Sequence, residues 1–137
     1  MSRMQMAIGF SIAALLTLVV FAPAAAGQGP WPQDKGAKRV DVSSYPAAIR
    51  QGYKLLQEDC GACHSVARPL NTTMSPEQWR ACATSAHTRL AGIPGKDVPR
   101  ILDFLIYDQI HRKDQNPKAY FPPPVPIQIA IARAGGH

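Results

Sequence analysis

Five consecutive residues, Cys60-Gly61-Ala62-Cys63-His64, bring two thiols and an imidazole to one point of the chain, and the fold has to be built around that point. The segment leading into it is periodic. Between Pro46 and Asp59, the residues Ile49, Gly52, Tyr53 and Leu56 recur at i, i+3, i+4 and i+7, and Cys60 follows at i+11, so one helical face runs directly into the cluster. Ser43 or Ser44 is placed to cap this helix, with Pro46 in an early position where its missing N–H does no harm. After an irregular stretch over 65–73, Ser75-Pro76-Glu77-Gln78 has the pattern of a capping box and starts a second helix, expected to run through Trp79 to about Arg89. Gly92-Ile93-Pro94-Gly95 interrupts, and Asp97 is placed to cap a last helix with Pro99 in its first turn. Apolar residues spread over a wide face between Val98 and Ile110, so this helix is expected to be largely buried. No strand-like alternation and no internal repeat occurs, and the expected class is all-α.

The two ends of the chain read differently from the middle. Arg3, the apolar run Ala7 to Ala22 and the small residues Pro23-Ala24-Ala25-Ala26 form an export signal over residues 1–26 with cleavage after Ala26, which implies a periplasmic or otherwise exported protein. The rival reading keeps Met6 to Ala26 as an uncleaved membrane anchor. Residues 27–43 read as an extended arm and 44–115 as the domain. Residues 116–137 form a tail in which Pro117, Pro122, Pro123, Pro124 and Pro126 favour polyproline geometry, with Ile127 to Ala132 apolar enough to pack on the domain or on a partner. The formal net charge is +6, and the basic residues are scattered instead of gathered into a run with aromatics, which argues against nucleic acid and for an acidic partner or an anionic surface.

Four chemistries suit the central cluster. Two thiols one turn apart can both bond the vinyl groups on one edge of a haem while the adjacent imidazole turns toward the iron; Cys60 and Cys63 then hold one haem c covalently and His64 is the proximal ligand. A Cys60–Cys63 disulfide suits an exported chain but leaves His64 without a purpose. A redox dithiol is expected beside a β-α-β pattern, which is absent. Half a zinc site needs further ligands at paired spacing, for which Cys82 and a lone His are poor substitutes. Cys82 itself, one turn after Trp79, reads as a small buried hydrophobe, with a reactive thiol as the alternative. Arg68 reads either as a solvated arginine or as a partner for a haem carboxylate.

Across about Ser44 to Arg112 the chain resembles the class I c-type cytochrome family. The resemblance is carried by a first helix with Gly52 and Tyr53, the run Cys60-Gly61-Ala62-Cys63-His64, and a last helix with Phe104 and Tyr107. It implies that the first and last helices cross where Gly52 lets Phe104 or Tyr107 approach closely. Ser75-Pro76-Glu77-Gln78-Trp79 is similar to the helix that, in single-haem members, leads to the distal iron ligand. The usual methionine is missing there, and His87 stands near its place; Met74 is the alternative ligand and an open distal position a third. His111 is most simply a cation near a helix C-terminus and His137 a chain end. The implied function is single-electron transfer between redox partner proteins without a chemical substrate. The alternatives are a haem enzyme or gas sensor with an open distal site, or a haem subunit of a larger oxidoreductase bound through the proline-rich tail.

Overall fold

The structure, a computed structural model, describes residues 30–62, 64–85 and 92–135, and it is mostly helical, with a single isolated bridge between Thr72 and Phe121 and no strand among those residues. Residues 1–26, read above as an export signal, together with Cys63, His87 and His137, lie outside the described residues.

Helix α1 spans Ala47–Asp59 and buries the expected face, Gly52, Tyr53 and Leu56. Its start differs from the expectation. Pro46 is the N-cap and neither serine caps the helix, because the preceding chain is committed to a turn: Ser43 N donates to Asp41 Oδ1 (2.9 Å) and Tyr45 N to the Val42 carbonyl (3.0 Å). A later helix, Val98–Asp108, crosses α1 and buries Ile101, Phe104 and Leu105 against it. Asp97 stands at its N-cap in helical conformation and makes no side-chain cap bond, so its role is positional. The crossing point is Gly52. A Cβ built there would run into the Arg100 carbonyl oxygen and lie 3.0 Å from Phe104 Cβ, so the two backbones approach at a distance only glycine permits. Phe104 is fully buried and its ring lies 5.0 Å from that of Tyr53. Removing such a ring from water is worth roughly 1.5–3 kcal/mol.

Between these helices stand α2 (Ala67–Asn71) and α3 (Pro76–Thr84), making Val98–Asp108 α4. Helix α3 begins as expected: Ser75 Oγ accepts from Gln78 N (3.2 Å) while Gln78 Oε1 accepts from Ser75 N (2.9 Å). It ends at Thr84, before the expected Arg89, where Ser85 adopts an extended backbone and its amide donates to the Cys82 carbonyl (3.1 Å). Thr84 Oγ1 lies within hydrogen-bond reach of the Arg80 and Ala81 carbonyls, and Ser85 Oγ donates to that of Cys82 (2.6 Å).

Beyond α4 the chain widens into a π-helical turn over Gln109–Lys113, then a 3₁₀ turn at Pro117–Ala119, and ends in α5 (Val125–Ala134). The last helix corrects the reading of the tail as extended. Pro124 is its N-cap and Pro126 lies in its first turn, where prolines favour helix initiation because no intrahelical N–H is due there. Helix α5 lies against α3. The arm is likewise docked. A 3₁₀ turn at Pro32–Lys35 packs on α2, and Asn71 Nδ2 lies 2.7–3.3 Å from the carbonyls of Gln33, Ala37 and Ala67.

A candidate cofactor site at the end of the first helix

Cys60 closes α1. Its amide donates to the Leu56 carbonyl as the C-cap, and a 3₁₀ turn over Cys60–Ala62 follows at once, so the helix hands its orientation to the thiol. The side chain is half-buried against the core, and its pKa is pushed up to about 12, first by burial, then by the Asp59 carboxylate and the Cys82 thiol. Cys82, on α3, is also half-buried against this core, and burial raises it to about 11. Both are thiols, not thiolates, at neutral pH. That is the opposite of the electropositive setting in which a redox dithiol is activated.

His64 is half-buried, with Nδ1 3.1 Å from the Ser65 carbonyl. A carbonyl only accepts, so in the neutral ring the proton belongs on Nδ1 and the lone pair on Nε2. Backbone anchoring of one ring nitrogen is how proteins orient an imidazole that ligates metal through the other. The charged form of His64 is also felt by Asp34, whose carboxyl is held below its ordinary value, chiefly by the hydrogen bond from Arg68.

Arg68 is therefore not a solvated loop residue. It grips Asp34 with two bonds, Nε to Oδ1 (2.9 Å) and Nη2 to Oδ2 (2.7 Å), and its guanidinium carbon lies 5.6 Å from the centroid of the Trp31 ring. Trp31 Nε1 is buried with no hydrogen-bond partner. A donor was thus available on the arm that sequence reading, which treated the arm as a spacer, had no reason to single out.

The remaining candidates are distributed as follows. Met74 is buried in the core beside Trp79, and its amide donates to Gln109 Oε1 (3.1 Å). His111 lies exposed in the π-helical turn, its ring stacked on Tyr107 at 4.0 Å. Cys63, His87 and His137 fall outside the described residues, so of the motif the structure places Cys60 and His64. Among the described residues no group of three or more His, Cys, Asp or Glu is arranged to hold a metal ion.

A polar cluster that the sequence reading missed supports this site from behind. Asp108 is fully buried and accepts from Tyr45 Oη (3.0 Å) and twice from Arg112 (2.6 Å each). Lys113, equally buried, donates to the carbonyls of Pro69 (3.0 Å) and Thr72 (2.7 Å) and lies 4.8 Å from the centroid of the Trp79 ring; Arg112 donates to that of Leu70 (2.9 Å). Arg112 and Lys113 thereby satisfy carbonyls at the end of α2, the short helix that follows His64. Gln109 completes the frame, accepting from Met74 N and Trp79 Nε1 and donating to Thr73 and Asp114. Compared with family models, curated proteins and solved structures, the chain matches none.

Proposed function

We propose that the chain is an exported mono-haem c-type cytochrome of the class I kind, carrying single electrons between protein partners. The observation that carries the reading is the His64 imidazole, held through Nδ1 by the Ser65 carbonyl four residues after Cys60, the cysteine that caps the end of helix α1. The donor set fits haem c: a protonated, half-buried thiol at Cys60, an imidazole with its lone pair on Nε2, and the thiol of Cys63 one turn on from Cys60 in sequence. The unpartnered donor Trp31 Nε1, beside Arg68, suits a haem carboxylate.

When bound, the haem iron supplies a one-electron couple. The chain's own contribution is to hold and bias it. Helix α1, locked by its crossing with α4, fixes Cys60; the Ser65 carbonyl fixes the proximal imidazole; the apolar core around Leu56, Leu70 and Trp79 provides low-dielectric surroundings. His87 is proposed as the distal ligand, with Met74 as its alternative.

The test is spectroscopic. Full-length protein produced with a haem-attachment system is expected to carry one haem that survives acid-organic extraction, and to lose that covalent retention when Cys60 and Cys63 are both replaced by alanine. His64→Gly should abolish the native six-coordinate low-spin spectrum. If His87 is the distal ligand, His87→Ala converts that spectrum to one that binds carbon monoxide on reduction; a sulfur-to-iron charge-transfer band untouched by the change assigns Met74. A wild-type chain that takes up no covalent haem under these conditions refutes the reading.

A further inference from the structure

Helix α5 is apolar on two sides. Its inner side, Ile127 and Ile131, packs against the core, while Val125 (59 % exposed) and Ile129 (48 %), one turn apart, face outward, with Phe121 (41 %) just before them. A helix with apolar residues on opposite sides is normally covered on both. The outer side also lies in an acid-free stretch: residues 116–137 contain Lys118 and Arg133 but no Asp or Glu.

What covers it is indicated by where the rest of the chain enters. Pro30, the first described residue, lines an open depression together with Pro32, Lys35, Gly36 and Phe121. The chain therefore enters the described domain at Pro30, next to Phe121 and the approach to α5, and upstream in sequence stands the largely apolar run Ala7 to Ala22, in which Ser11 and Thr17 are the polar residues. A largely apolar run of sixteen residues cannot be hidden by a stripe of two or three side chains. A bilayer can cover both the run and the stripe, and an anionic one matches Lys118 and Arg133, which flank the stripe in a stretch without Asp or Glu.

We propose that, in the chain that keeps its N-terminal segment, Phe121, Val125 and Ile129 form a face that rests on an anionic phospholipid bilayer, so that the domain is held against the membrane in one orientation. The proposal concerns the polypeptide surface and is independent of haem.

The full chain is reconstituted into vesicles of phosphatidylethanolamine and phosphatidylglycerol doped with a phospholipid bearing a photoactivatable group on its acyl chain, and adducts are mapped by peptide mass spectrometry. Adducts are expected both within residues 1–26 and within 121–129. In Val125→Glu/Ile129→Glu those at 121–129 should fall at least tenfold, while those at 1–26 and the far-ultraviolet circular dichroism stay unchanged. Adducts confined to 1–26 would show an anchor without a resting face and overturn the proposal. So would cross-linking of 121–129 to a second copy, or recovery from the producing cell of a chain beginning at Gly27 that yields no adducts at 121–129.

Discussion

Gly52 is the residue on which the α1–α4 crossing turns. A methyl group there meets a main-chain carbonyl, which cannot swing aside as a side-chain end could, so α4 has to retreat. Overpacking of this kind costs typically 1–3 kcal/mol, against about 1 kcal/mol that alanine gains over glycine inside a helix. Gly52→Ala is therefore expected to destabilise, read as a lower urea midpoint at unchanged slope; an equal or higher midpoint would mean that the helices do not approach so closely in solution. The periodic pattern puts Gly52 on the apolar face of α1, and the close approach of Phe104 to it is expected only from the family resemblance. Lys113, Arg112 and Asp108 are legible in neither way. Charged residues near a helix end read as solvated, and their burial becomes intelligible only when the carbonyls of Pro69, Leu70 and Thr72, some forty residues earlier, come into reach.

Elements follow the same division. The start of α3 is written in four residues, and its stability can be tested there: Ser75→Ala removes the acceptor for Gln78 N and should cost about 1 kcal/mol, seen as a loss in urea-unfolding free energy that Ser75→Asp restores. An alanine variant as stable as the wild type would show the cap to be idle. The end of α3 and the existence of α5 were harder to read. Ser85 could as well have continued the helix, and the choice depends on a local bond from its hydroxyl to the Cys82 carbonyl. The prolines before α5 carry opposite meanings at the start and in the interior of a helix, and only the position of the start tells which applies.

For the molecule as a whole, the buried Lys113 links stability to pH. Burial pushes its pKa down from 10.5 to about 7, with Asp108 (Nζ to Oδ2, 3.7 Å) acting in the opposite sense. Between those two values the unfolded chain holds a proton that the folded chain has shed, so raising the pH penalises the unfolded state and stability increases. Below pH 7 both forms are protonated and the cost of burying the cation is present in full. Urea-unfolding free energy is expected to rise from pH 7 toward 10.5 in the wild type and to lack this component in Lys113→Met. Identical profiles for the two proteins would refute the linkage. The motif at 60–64 was legible from the outset, as was the helical class. The scaffold behind it was not, because it consists of long-range bonds between side chains and backbone that leave no periodic trace in the sequence.

The Gly52–Phe104 crossing also bears on the order in which the chain assembles. The two residues are about fifty positions apart, and closing a loop of that length costs roughly 3.5 kcal/mol of chain entropy before any contact repays it. Helix α1 and the capped turn of α3 need no such closure. The crossing thus works as a clasp that shuts late, and until it does, the thiol at the end of α1 stands on a short, frayed and reachable helix. Cys60 is open to thiol-directed reagents during that interval and becomes half-buried once the clasp engages.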